Sequence, residues 1–195
     1  MNQQGLYGAV PLAHFFLKER LKAGDRGIDA TCGNGQDTLF MAELVGSDGR
    51  LWAFDVQSDA ITSTKKLLEE KGCAECVTLV HGGHEKMTET VNEKVMAVVF
   101  NLGYLPTGDR LLKTTAATTI TALDAAIDML LQTGIILLAV YTGHEGGEEE
   151  WNAVKQWCEN LKPHQFNVWQ SRQLNRSDRA PFLVVVEKVA LTPSL

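Results

Sequence analysis

The chain has 195 residues, 45% of them hydrophobic and 22% charged, and a formal net charge of −6, which is ordinary globular composition for one domain over residues 1–195. That charge excludes a strongly basic nucleic-acid module, although a local patch can still meet RNA. The longest apolar run, residues 135–140, is far too short to span a bilayer, and "MNQQGLYGAVPLAHFFLKER" has no basic n-region, so the chain reads as cytoplasmic with no membrane contact.

Leu12, Phe15, Phe16 and Leu21 sit near helical spacing, which predicts an amphipathic helix over 9–23 stopped at Gly24. A first strand follows at 26–30, a helix at 37–44 and a second strand at 51–54 that ends at Asp55. A helix over 58–71 takes Ser58 as its cap. Strands are predicted at 77–80 and 95–100, the second buried on both faces because its apolar run is continuous. A helix at 118–131, a strand at 134–141 and a helix at 148–160 come next. Two strands, 166–172 and 182–189, close the chain with no helix between them.

This alternation calls for a doubly wound, mostly parallel seven-stranded α/β sheet, and the last pair is antiparallel if adjacent. Five βα units and a closing antiparallel hairpin are the Rossmann-like layout of class I methyltransferases. Of the four cysteines, Cys73 and Cys76 form a lone CxxC with no further ligands at comparable spacing, which reads as a plain turn and no metal site. Cys32 reads as a small filler. The acidic run at 145–150 reads as a solvated helix start.

"IDATCGNGQDT" (28–38) is a glycine-rich strand-to-helix turn, the place where doubly wound sheets hold a nucleotide-like cofactor. A dinucleotide fingerprint needs a third glycine, but Thr38 stands there, and Asp37 in the first helical turn would meet a pyrophosphate with like charge. The same carboxylate suits a cation, which points to S-adenosylmethionine: an ammonium and a sulfonium but no phosphate. Asp55 at the end of the second strand is placed to accept from ribose hydroxyls, and Gln57 to reach the adenosine. The alternative for Gly33 and Gly35 is a tight turn alone, and for Asp29 and Asp37 a helix-start charge.

"FNLGYLP" (100–106) follows the fourth strand and sets Asn101 and Tyr104 where amino-methylating enzymes of this layout carry N-P-P-Y. A side-chain carbonyl there can take an amine's hydrogens and aim its lone pair, and the aromatic ring can face a planar base or the sulfonium. The alternative is a turn in which Asn caps the strand and Tyr joins the core.

Together, "LAHFFLKERLKAGD", "IDATCGNGQDT", "AFDVQ", "VFNLGYLPTGD", "TTAATTITALDAAIDML", "VYTGHEGGEEE" and "NRSDRAPFLVVVEK" resemble the small bacterial YtqB-like methyltransferase family, first labelled as rRNA methylases, nearly end to end. The resemblance implies S-adenosylmethionine as cofactor, a homodimer and a tRNA substrate met at the anticodon region. The implied reaction is the MnmM-type N-methylation of 5-aminomethyl-2-thiouridine at the wobble position. By that resemblance Asn34, Gln36, Asp37 and Thr38 belong to the cofactor loop, Asp55 and Gln57 to the ribose site, and Gly83 and His84 to the segment approaching adenine. Asn101, Gly103, Tyr104 and Pro106 line the transfer pocket, and Tyr141 and His144 face the substrate. In "HGGHEK" relatives often carry Ser before His, so Gly83 offers only backbone. Two rival readings remain at this level: a methyltransferase acting on rRNA or a small-molecule amine, and a non-catalytic adenosine-binding module. Arg172, Arg176 and Arg179 form either a phosphate-contacting edge or a solvated loop.

Overall fold

The computed structural model describes residues 7–103 and 112–190. In chain order its elements are α1 (Ala9–Arg20), β1 (Arg26–Asp29), α2 (Gln36–Val45), β2 (Arg50–Asp55), α3 (Ser58–Lys71) and β3 (Val77–His81). The short α4 (Met87–Thr90), β4 (Val95–Leu102), α5 (Ala116–Met129), β5 (Leu130–Val140), α6 (Gly147–Glu159), β6 (Phe166–Ser171) and β7 (Phe182–Lys188) follow. The strands form one seven-stranded sheet in the order β3-β2-β1-β4-β5-β7-β6. β1 to β5 run parallel, while β7 pairs antiparallel with both β5 and β6.

The predicted layout holds, and its continuous apolar strands are explained by two covered faces. Along β4, Val98, Phe100 and Leu102 enter one core layer with Phe54, Leu123 and Val154. Ala97 and Val99 enter the other with Leu17, Met41 and Leu68. Neither face of a central strand meets water, so periodicity two disappears from its sequence.

Three local expectations change. The buried stripe of α1 is Ala9, Ala13 and Leu17, with Phe15 53% exposed, because small residues let the helix lie close against the sheet. Gln57, not Ser58, occupies the N-cap of α3, and it makes no side-chain cap. α5 begins earlier than predicted because Thr115 forms a capping box with Thr118. At 74–76 the CxxC is a 3-10 turn before β3, as expected, and no group of three metal-capable side chains occurs among the described residues.

The strand order reverses between β1 and β4, where connections leave in opposite directions and open a crevice beyond the carboxyl ends. Gly35 caps α2 in the left-handed region at φ 80°, and an added Cβ there would sit 2.9 Å from the Thr64 hydroxyl on α3. Only glycine lets the loop turn and approach α3 at that point.

Candidate active site

A cavity of about 590 Å³ fills that crevice, a volume within the usual range for small-molecule sites. Of the residues expected from sequence, the structure brings Gly33, Asn34, Gln36, Asp37, Asp55, Gln57, Gly83, His84, Asn101, Gly103, Tyr141 and His144 to its wall. Asp29 and Thr38 stand behind the loop, fully buried. There Thr38 donates to Asp29 at 2.6 Å and the Thr31 amide donates at 3.2 Å. These two residues tie β1 to α2. Tyr104 and Pro106 lie outside the described residues.

At the β2 end, Asp55 accepts from the Gly33 amide and from the Gln57 amide, both at 2.9 Å. One carboxylate thereby fixes the glycine loop and its own strand terminus, with lone pairs left toward the cavity. At the β4 end, the Asn101 amide donates to the Thr31 hydroxyl at 2.7 Å. The Asn101 side-chain nitrogen donates to Asp37 at 2.7 Å, and His14 of α1 meets the other Asp37 oxygen at 2.6 Å. Gly103 pairs with Thr114 through two bonds: its amide donates to the threonine hydroxyl at 2.8 Å, and its carbonyl accepts from the Thr114 amide at 2.9 Å.

Thr114 in turn donates to Glu150 at 2.9 Å, as Thr119 does at 2.6 Å. Glu150 is only 2% exposed, which corrects the reading of the whole acidic run as solvated. A buried carboxylate is tolerated here because two hydroxyls satisfy it.

The electrostatics follow burial. Asp29 is pushed up to about 7, first by burial and then by the neighbouring Asp37. Burial also pushes the Cys32 thiol well up, so it stays protonated, which agrees with a filler and not a nucleophile. The Tyr141 hydroxyl is raised by burial and then by Asp37. His84 is lowered by burial, hence neutral at pH 7. Its Nδ1 lies 3.1 Å from the Ala30 carbonyl, which can only accept, so Nδ1 carries the proton. Nε2 is left as a buried acceptor with no hydrogen-bond partner among the described residues.

These details test the cofactor. The cavity is lined by the carboxylates Asp37, Asp55 and Glu85, with His84 also on its wall. Such a lining repels phosphate and accepts from hydroxyl, amine and ammonium donors, which are what S-adenosylmethionine presents. The group fits. Positive charge lies elsewhere on the wall, in Lys113 and Arg179. Arg172 is drawn back over the Phe182 ring at 3.8 Å and donates to the Asp178 carbonyl at 2.9 Å, so it does not share their position.

Sequence reasoning missed His14, Thr31, Thr114 and Thr119. No local pattern marks them: each acts through a partner at least 23 residues away, apart from the Thr31 bond to nearby Asp29 and the Thr114 bonds to Gly103.

A sheet of this order, with a reversed last strand and an acid-lined cleft at its switch point, defines the class I methyltransferase fold. The chain belongs to the family described as "Putative rRNA methylase", whose model matches residues 51–187. It is 42% identical over 190 residues to a tRNA (mnm(5)s(2)U34)-methyltransferase, chloroplastic, of Arabidopsis thaliana, covering 92% of this chain and 69% of the relative. A "putative rRNA-methylase" from Clostridium thermocellum superposes with a TM-score of 0.92 at 39% identity, over 95% of this chain and all of that one (100%). A "putative methyltransferase" from Streptococcus mutans, solved in complex with SAH, gives a TM-score of 0.85 at 36% identity, over 93% of this chain and 98% of that one.

Proposed function

We propose that the chain is an S-adenosylmethionine-dependent N-methyltransferase that converts 5-aminomethyl-2-thiouridine to 5-methylaminomethyl-2-thiouridine at the wobble position of tRNA. The observation that carries the amine chemistry is the Asp37–Asn101 contact at the β4 end of the cleft. The substrate follows from the kinship with the Arabidopsis tRNA methyltransferase.

Bound in the cleft, S-adenosylmethionine supplies a sulfonium methyl group that a neutral amine takes with its lone pair as the carbon–sulfur bond breaks. Asp55 and Gln57 would hold the ribose, Gly83 and His84 the adenine side, and the 33–37 loop with Asp37 the amino-acid end. Because Asn101 gives its nitrogen to Asp37, its carbonyl oxygen is what remains for the cleft. That oxygen accepts an N–H of the amine and turns the opposite lone pair along the transfer axis. Tyr141 and His144 would meet the nucleoside, with Lys113 and Arg179 supplying charge for the anticodon phosphates. Asn101→Ala should lower single-turnover methylation by at least about 100-fold while cofactor affinity stays within a few fold. Full activity in that variant would remove Asn101 from the mechanism.

No helix among the described residues is long and apolar enough to cross a membrane, and we take the enzyme to act in the cytoplasm. A homodimer accords with Val168 and Trp169 of edge strand β6, 37% and 69% exposed, and light scattering tests it. The test of the function itself is nucleoside mass spectrometry of tRNA from cells lacking the protein. Accumulation of the unmethylated aminomethyl nucleoside supports the reading. Unchanged tRNA with a methyl group missing from rRNA would assign the enzyme to ribosomal substrate instead.

A further inference from the structure

The transfer end of the cleft is tied to a helix that contributes no strand and no cofactor loop. His14 on α1 turns its ring onto Phe40 of α2, with centroids 3.8 Å apart and planes within 7°. Its Nε2 then meets Asp37 Oδ1 at 2.6 Å, while Asp37 Oδ2 takes the Asn101 side-chain nitrogen at 2.7 Å. The contact is largely shielded, His14 being 23% exposed and Asp37 11%. A carboxylate only accepts, so both partners must donate: His14 through Nε2–H, Asn101 through its NH2.

The consequence concerns an ambiguity built into asparagine. Its amide presents either an acceptor or a donor, depending on a rotation of half a turn. Facing an amine, the acceptor frees the nitrogen lone pair for attack, whereas the donor ties that lone pair up. A hydrogen bond to a charged acceptor biases such a choice by roughly 10- to 100-fold. Asp37 provides that bias only if the carboxylate itself is held, and a carboxylate at the head of a helix can rotate.

We propose that His14 is a positioning residue for methyl transfer: it anchors Asp37, which sets the Asn101 amide with its oxygen toward the substrate. This rests on the amine-methylating reading of the site. His14 does not itself line the cavity and acts through Asp37, which does.

Three variants separate the hydrogen bond from the ring contact. His14→Phe keeps an aromatic ring against Phe40 and removes the donor. His14→Gln removes the ring and keeps an N–H within reach of Asp37. The double variant His14→Phe with Asn101→Ala tests whether the two residues act in one chain. Each is measured by single-turnover methylation of saturating aminomethylated tRNA, by calorimetric cofactor affinity and by thermal midpoint.

His14→Phe should lose about 10- to 100-fold in rate with cofactor affinity within about threefold. His14→Gln should recover most of that rate, and adding His14→Phe to Asn101→Ala should cost little more. A second readout needs no cofactor. In the free protein the Asn101 side-chain amide protons should be shifted downfield and exchange slowly, and should lose both properties in His14→Phe but not in His14→Gln. A full rate in His14→Phe, the opposite order of the two single variants, additive losses in the double variant, or unaltered amide protons would each overturn the proposal. If the wild-type enzyme fails to methylate aminomethylated tRNA, the functional reading falls, while the amide signals still decide whether His14 orients Asn101.

Discussion

At the residue scale, two carboxylates of the site do opposite work because their surroundings differ. Asp55 sits at the cavity wall with two backbone amides on it, and remains available to a ligand. Asp55→Ala removes both the ribose acceptor and the tether on Gly33. Hydrogen bonds to a charged group contribute roughly 1.5–3 kcal/mol each, so the cofactor dissociation constant should rise at least about 100-fold by calorimetry. An unchanged constant would place the ribose elsewhere. Asp29, in contrast, is sealed behind the loop and pushed from an ordinary 3.8 up to about 7. A folded-state value above the unfolded one means that the native protein holds its proton longer than the unfolded chain. Its contribution is complete below pH 3.8 and is lost as pH rises toward 7. Asp29→Asn should therefore gain stability relative to the parent as denaturation is moved from pH 4 to pH 7, with a constant difference above that. A difference that does not vary across this range would show that the buried carboxyl titrates normally.

At the scale of elements, α6 does more than cover the sheet. Gly147, second in the turn that starts it, lies so close to His144 that an added Cβ would sit 2.7 Å from the imidazole. Three residues on, Glu150 reaches inward to Thr119 of α5 and to Thr114, which holds Gly103. Glu150→Ala strands the buried Thr119 hydroxyl and takes the acceptor from the half-buried Thr114 hydroxyl, and at roughly 1–3 kcal/mol for the stranded group should lower stability by about 2 kcal/mol in chemical denaturation. The same variant should slow methyl transfer more than it weakens cofactor binding, since Gly103 lies at the β4 end. A loss of stability with an unchanged rate would confine Glu150 to packing. This cluster shows where the sequence was mute. The succession of elements and the direction of strands were legible because apolar runs, turn glycines and the missing crossover helix are local signals. Gly33, Asp37, Asp55 and Asn101 were legible because they stand in the turn and helix start after β1 or at the carboxyl ends of β2 and β4. Glu150 looked like its exposed neighbours Glu148 and Glu149, and only the helix rotation against α5 distinguishes it. His14 was hidden for the same reason, its partner lying 23 residues on. The α1 stripe was misjudged because alanines carry little hydrophobic signal, yet they decide how closely a helix can approach.

At the scale of the whole molecule, charge is separated without a basic surface. Net charge is −6, acids line the depth of the cleft, and Lys113 and Arg179 share its wall. RNA affinity should accordingly depend on few phosphate contacts. Replacing Lys113 and Arg179 together by alanine should weaken tRNA binding and reduce the slope of log affinity against log salt by about two, one per cation. Arg172→Ala should instead act through its lost packing on Phe182, with little change in slope. Equal slopes in the parent and the double variant would assign phosphate contact to another surface.

The seam between β1 and β4 also governs when the site comes into being. Thr31 and Asn101, which meet across it, are 70 residues apart in the chain. During synthesis the 26–81 half emerges first and already holds Asp37 and Asp55, but no acceptor amide and no partner for the open edge of β1. Parallel pairing across such a separation closes late, after the long connection has been made. A nascent chain therefore carries half a ligand site with an exposed strand edge beside it, and the methyl donor can steady the protein only once β4 has docked.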